Sequence, residues 1–156
     1  MDEFNELLIG ERLEPKGWKL HKSLKFSTQK LKEDELKLLL EIGIDVSQTG
    51  KFSVRTGFQS RVKSLPRGVW AVVSVEDIAR AAVLHDYFYH VLREYQSSDR
   101  FAQSKWKKAR EVCDKVFLLA LEAAEPRVAS WKQKAIYKII RSAGSKHAKK
   151  AKQKGD

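Results

Sequence analysis

His85, Asp86 and Tyr89 bring an imidazole, a carboxylate and a phenol together within one short segment of the chain. Apolar residues recur there at three- and four-residue steps over residues 75–92, which is typical of an amphipathic helix. His85 and Tyr89 lie one turn apart on the apolar stripe, and Asp86 lies about 100° further round. Because an unpaired buried polar group costs roughly 1–3 kcal/mol, these side chains predict either a functional site or a satisfied internal network.

The elements that must position this segment follow the order strands first and helices afterwards, which predicts an α+β fold. Alternation of apolar and polar residues predicts a strand over 18–26 and a hairpin over 45–55. Residues 35–46 are ambiguous, and the alternation of Leu36, Leu38 and Leu40 favours a strand. A loop without periodicity, 57–68, precedes three helices at 75–92, about 105–124 and about 129–143. We expect a small antiparallel sheet from the N-terminal half, packed on these three helices.

Length and composition indicate one folded domain. The chain has 156 residues, of which 42% are hydrophobic and 10% aromatic, enough for a single core but not for two. We expect an N-terminal arm over 1–17, an α+β domain over 18–144 and a disordered tail over 145–156. The one cysteine, Cys113, excludes an internal disulfide and a cysteine-based zinc site, which favours a reducing, cytoplasmic setting. No apolar run approaches the roughly 20 residues that span a bilayer.

The net charge of +11 favours acidic surroundings and leaves open a nonspecific nucleic-acid binder. The basic residues that predict polyanion binding fall in two groups, one around the loop and one in the tail. They are Arg55, Arg61, Lys63 and Arg67, followed by Lys146, Lys149, Lys150, Lys152 and Lys154.

Over residues 18–144 the chain resembles the domain of unknown function 1353 family, which occurs in bacteriophages and prophages. The resemblance implies an architecture and a phage origin, with the host cytoplasm or the virion as location, but no activity. In the family a loop of the form P-x-G-F-x-T-D-x-A-S-x-P-R precedes a helix with H-D-x-x-Y, and a further helix carries Asp before F-x-x-A-L. The matching residues are Gly57-Phe58, Ser60, Ser64, Pro66-Arg67, His85-Asp86, Tyr89, Asp114 and Phe117–Leu121.

The chain departs from the family pattern inside the loop. Arg61 stands at the position of the loop Asp, and Lys63 at that of the Ala. The charge at this position is therefore inverted relative to the family. If the loop Asp of relatives binds a metal, Arg61 disfavours a divalent metal in this chain. A corollary hypothesis is that the Arg61 guanidinium pairs with Asp86 and takes the place of a cation.

The motif alone is also similar to the calcium-dependent secreted phospholipases. That likeness implies His85 as a general base, Asp114 with Tyr89 as the groups that fix it, and Asp86 as a metal ligand. The chemistry is coherent, because a carboxylate on one imidazole nitrogen leaves the other free to accept a proton. Against it, the disulfides of those enzymes are absent, and the basic loop would repel Ca²⁺.

Three classes of function therefore stay open. The favoured one is a non-catalytic phage protein with a buried His-Asp-Tyr network, acting in a virion, in assembly or on a host factor. The second is a His/Asp-based hydrolase, possible with or without metal assistance. The third is a nonspecific nucleic-acid binder that uses the basic loop and tail.

Overall fold

The computed structural model describes residues 2–4, 10–13, 17–74, 78–124 and 127–155, with side chains up to residue 143. It confirms the α+β class, although the strands form two small antiparallel sheets instead of one. The strands are β1 (Glu3–Phe4), β2 (Gly10–Arg12), β3 (Trp18–Leu20), β4 (Leu24–Ser27), β5 (Lys51–Val54) and β6 (Gln59–Ser60). The helices are α1 (Glu33–Ile42), α2 (Ala79–Gln96), α3 (Gln103–Glu122) and α4 (Ser130–Gly155).

One sheet has the strand order β1-β4-β5 and the other the order β2-β3-β6. The single strand predicted over 18–26 is therefore wrong, because β3 and β4 belong to different sheets. The two strands are separated by residues 21–23, of which His21 and Lys22 are exposed, whereas Leu20 and Leu24 are buried on either side. Two residues of the predicted N-terminal arm, Glu3 and Phe4, pair with β4. The division into arm, domain and tail stays a prediction.

The strand predicted over 35–46 is wrong, since residues 33–42 form α1. The backbone N–H of Lys32 donates to the Glu35 carboxylate (2.9 Å), which satisfies a free donor at the start of the helix. Gly43 ends it with φ of 109°, a left-handed conformation that glycine adopts without steric cost. Leu39 and Ile42, three residues apart, are the buried pair, and Leu40 is 46% exposed. Helical spacing and not alternation fits this burial.

Three helices form in the C-terminal half, with bounds that differ from the predicted ones. The helix predicted over 75–92 is α2, which begins at Ala79 and runs on to Gln96, and residues 75–77 lie outside the described part of the chain. The last helix was expected to stop at Gly144, but α4 runs on to Gly155. The segment beyond Gly144 is rich in Lys and also contains Ala and Gln. These residues are strong helix formers and override one glycine. In the described residues no helix is long and apolar enough to cross a membrane.

The core places α2 between the β-structure and α3. Phe52 of β5 meets Phe88 of α2 edge to face, with ring centroids 5.3 Å apart. On the side of α2 that faces α3, the His85 ring is stacked on Tyr89 (4.4 Å) and tilted against Phe117 (4.8 Å). The imidazole of His85 is thus held between two aromatic rings, which fixes its orientation.

Candidate functional site

Three side chains from a loop and two helices form a continuous hydrogen-bonded chain. The His85 Nδ1 atom lies 2.8 Å from the Ser64 hydroxyl, and its Nε2 atom lies 3.2 Å from Asp114 Oδ1. His85 and Asp114 have no exposed surface, whereas Ser64 is partly exposed. An ionised carboxylate can only accept, so His85 Nε2 donates its hydrogen to Asp114. In the neutral imidazole Nδ1 then carries the lone pair, and the Ser64 hydroxyl donates to it.

Asp114 is held in its ionised form by four donors. Its Oδ1 accepts from His85 and from the Tyr89 hydroxyl (2.9 Å), and its Oδ2 from Arg110 (3.1 Å) and Arg141 (3.0 Å). Burial alone would raise the pKa of Asp114, but the hydrogen bond and charge of His85, with the Arg110 guanidinium, hold it below the usual value. The carboxylate is thus a fixed acceptor for His85.

Two neighbouring groups stay protonated. Burial, with the negative charge of Asp114 as the next cause, raises the pKa of the Tyr89 phenol well above its usual value. Burial also raises the pKa of the Cys113 thiol, and a protonated, fully buried thiol is not a nucleophile. Tyr89 therefore acts as a hydrogen-bond donor that positions Asp114.

Asp86 fastens the loop that carries Ser64. Its Oδ2 accepts from the Ser60 hydroxyl (2.9 Å) and the Val62 N–H (3.1 Å), and its Oδ1 accepts from the Ser64 N–H (2.9 Å). Donor hydrogens point at a carboxylate where a cation would have to sit. Among the described residues no three His, Cys, Asp or Glu side chains are grouped to hold a metal. The donor set does not fit the metal that the phospholipase likeness implies at Asp86.

Val62 lies in this loop with φ of 56°, in the left-handed region. This conformation costs a non-glycine residue roughly 1–2 kcal/mol, and a β-branched side chain adopts it rarely. Strain of this kind persists only where surrounding contacts enforce it, and it clusters at functional sites. Here the Val62 N–H bond to Asp86 and the burial of its side chain enforce the conformation.

A pair of variants tests this strain. We expect Val62→Gly to unfold at a higher urea concentration than Val62→Ala, because only glycine adopts positive φ without cost. The difference in free energy of unfolding should be about 1 kcal/mol. The control is Val83, which is buried inside α2; there the order reverses, and the Gly variant is weaker than the Ala variant by about 1 kcal/mol. The same order at both positions would contradict a left-handed Val62.

The lowered pKa of Asp114 predicts a loss of stability in acid. Because the folded state favours the ionised carboxyl, its contribution is complete above the ordinary value of 3.8 and is lost as the pH falls through the lower folded value. We expect the wild type to unfold at lower urea concentrations below that pH. The difference in free energy of unfolding between the wild type and Asp114→Asn should become smaller over the same pH range. A difference that stays constant would exclude this linkage.

The structure places the predicted polyanion-binding residues of the loop region on or near the surface. Arg55, Lys63 and Arg67 are exposed and Arg61 is partly exposed. The lysines of the tail belong to α4, and their side chains are outside the described part of the chain. These residues are Lys146, Lys149, Lys150, Lys152 and Lys154. The predicted pairing of Arg61 with Asp86 stays a hypothesis.

Sequence reasoning brought His85, Tyr89 and Asp114 together and missed the residues that complete the chain. Ser64 appeared only as a loop residue, because a loop without periodicity does not indicate which side chains face the interior. Arg141 was missed since it lies on α4, a different helix from its carboxylate. A usable signal was present for Arg110, which precedes Asp114 by one helical turn.

A search of family models matches residues 37–140 to the family described as "Protein of unknown function (DUF1353)". The match begins within α1 and ends within α4, so it includes Ser64, His85 and Asp114 and stops one residue before Arg141. No curated protein and no solved structure matches the chain.

Proposed function

The chain belongs to the DUF1353 family of proteins of unknown function, and we propose that it is a hydrolase with Ser64 as the nucleophile. His85 is the general base and Asp114 the residue that orients it. The observation that carries the proposal is the unbroken hydrogen-bonded chain from Asp114 through His85 to a partly exposed serine. Recognition of such a triad rests on geometry and roles, not on chain order.

The reaction is an acyl transfer in two halves. The Ser64 oxygen attacks the acyl carbon of an ester, and its proton passes to His85 Nδ1. His85 then gives that proton to the oxygen of the departing alcohol, which leaves an acyl group on Ser64. A water molecule attacks the acyl carbon and loses a proton to His85. His85 passes that proton to the Ser64 oxygen as its bond to the acyl carbon breaks, which releases the acid and restores Ser64. Asp114 stabilises the positive charge that His85 carries between these steps.

The charge around the loop favours an anionic ester. Exposed Lys63 and Arg67 lie on either side of Ser64 in the chain, and basic side chains attract an anionic substrate and raise its encounter rate. The similarity to secreted phospholipases agrees with a His-Asp pair fixed by Tyr89. Because Asp86 is engaged by the loop, the proposed reaction assigns it the positioning of Ser64 and no metal.

The experiment is a burst assay with p-nitrophenyl esters, one neutral and one with an acidic acyl chain. We expect an initial release of nitrophenolate in proportion to enzyme, followed by slower turnover, and a higher kcat/KM for the acidic ester. Ser64→Ala is the test variant, and Ser74→Ala, which removes an exposed serine, is the control. No burst in the wild type, or an equal burst in Ser64→Ala, would refute the proposal.

A second candidate is the non-catalytic phage protein, and the observation that favours it is the complete burial of His85 and Asp114. On that account the hydrogen-bonded chain fixes the loop and helices of a virion, assembly or host-factor-binding protein in the host cytoplasm or virion. The remaining class, a nonspecific nucleic-acid binder, would use the basic loop and tail, and its affinity would fall steeply with salt. Salt-dependent binding to DNA without ester hydrolysis would favour that class.

A further inference from the structure

One side of α4 is turned to water and is rich in basic side chains. Ile136 and Ile140 are buried on the inner side of the helix. Trp131, Lys134 and Lys138 follow one another at steps of three and four residues, which places them on a common side of the helix. All three are exposed. We call these three residues the α4 face.

Trp131 is the one exposed aromatic side chain among the described residues. Its exposed fraction is 66%, whereas Trp106 is buried and Trp18 and Trp70 are partly buried. Lys132 lies over the Trp131 ring, 5.7 Å from its centroid, so an indole and a positive charge are presented together. Tryptophan is enriched where one end of its ring meets an apolar phase and the other end meets water.

The positive charge of the α4 face is not balanced by carboxylates. No acidic residue occurs in the sequence of α4. Within the described residues, the ion pairs of this helix are those that Arg141 makes with Glu111 and Asp114. Lys134 and Lys138 therefore have no carboxylate partner there, in contrast to several lysines of α1 and α3 that lie beside an acid.

We propose that the α4 face binds the surface of an anionic lipid bilayer, with Trp131 at the level of the headgroups and the lysines beside the lipid phosphates. An anionic membrane surface attracts nearby lysines, and the boundary between headgroups and acyl chains is where tryptophan side chains collect. One occupant thus accounts for both the unbalanced charge and the exposed ring. The binding is reversible adsorption of a folded domain, and it does not rest on the proposed ester hydrolysis.

The isolated ring favours a bilayer over a nucleic acid. Proteins that bind single strands stack successive bases on several aromatic rings, whereas Trp131 has no exposed aromatic neighbour in the described part of the chain. Contacts to the phosphates of a duplex need only basic side chains, so they would leave the exposure of Trp131 unexplained.

Sedimentation with lipid vesicles tests the charge of the α4 face. We expect the wild type to bind vesicles that contain phosphatidylglycerol but not vesicles of phosphatidylcholine alone, with an affinity that falls as salt is added. Lys134→Gln combined with Lys138→Gln should bind roughly 30-fold more weakly. The control combines Lys19→Gln with Lys51→Gln, which removes two exposed lysines from β3 and β5. It has the same net charge and should bind like the wild type.

Fluorescence quenching by lipids with brominated acyl chains tests the position of Trp131. Bromine quenches an indole that enters the bilayer, so we expect quenching of the wild type and none of Trp131→Ala. The other three tryptophans are buried or partly buried. The tail of α4 has lysines but no tryptophan, so adsorption through the tail alone would leave the fluorescence unchanged.

Four results would overturn the proposal. The first is no binding to the anionic vesicles, and the second is an equal loss of binding in the two double lysine variants. The third is equal quenching in the wild type and in Trp131→Ala. The fourth is binding to duplex DNA that needs Trp131 and the two lysines, without binding to vesicles. Ser64→Ala should bind vesicles like the wild type, so the hydrolase proposal and this one fail separately.

Discussion

Replacement of Asp114 by asparagine is expected to lower the free energy of unfolding by about 3–5 kcal/mol. The substitution preserves shape but removes the charge that Arg110, only 3% exposed, requires in its buried position. An asparagine amide also has one donor end, which would face hydrogen-bond donors of Asp114. Since domains are stable by only about 5–15 kcal/mol, we expect the melting temperature to fall by roughly 10 °C.

Arg141 contacts a second carboxylate besides Asp114, and that carboxylate gives a matched control. Glu111 lies 3.6 Å from Arg141 and its side chain is 47% exposed. Glu111→Gln should change stability by less than about 1 kcal/mol, because exposed ion pairs contribute little. Chemical unfolding at neutral pH measures both variants. Equal effects for the two would contradict the account of Asp114 as the centre of a buried charge network.

Replacement of His85 by glutamine is expected to reduce ester turnover by roughly 10⁴–10⁶-fold. Glutamine fills much of the same space, yet it cannot take a proton from Ser64 at neutral pH. His90→Gln is the matched control, because His90 lies on the same helix, is 37% exposed and contacts Glu94. It should leave turnover unchanged within about twofold.

Ser64→Ala distinguishes a catalytic His85 from a purely structural one. If the two residues act as one unit, Ser64→Ala and His85→Gln lose similar activity, and the double variant loses no more. Circular dichroism and urea unfolding establish that each variant is folded. Effects that multiply in the double variant would contradict the relay of a proton from Ser64 to His85.

The sequence was informative where helical periodicity determines which side a residue faces. His85 and Tyr89 lie four residues apart, so they were predicted on one stripe, and both are buried against α3. Asp114 lies on the neighbouring helix, so its meeting with His85 needed only antiparallel packing of two amphipathic helices. The α+β order of elements was also predictable from the chain.

The loop and α1 were not predictable for physical reasons. Ser64 reaches His85 because Asp86 binds the loop by hydrogen bonds and Val62 adopts a left-handed conformation. Neither feature leaves a periodic pattern in the sequence. In α1 the leucines satisfy both an alternating and a helical pattern. The capping contact of Glu35 and the left-handed Gly43 decide in favour of the helix.

The most direct measurement for the central claim is covalent labelling of Ser64 by a fluorophosphonate, located by mass spectrometry of peptides. Phosphonylation requires a serine hydroxyl that a neighbouring base activates. The account predicts one adduct per chain, on Ser64, that is absent from His85→Gln and retained in His90→Gln. No adduct, or an adduct formed equally in His85→Gln, would contradict an activated serine and leave the hydrogen-bonded chain as a packing network.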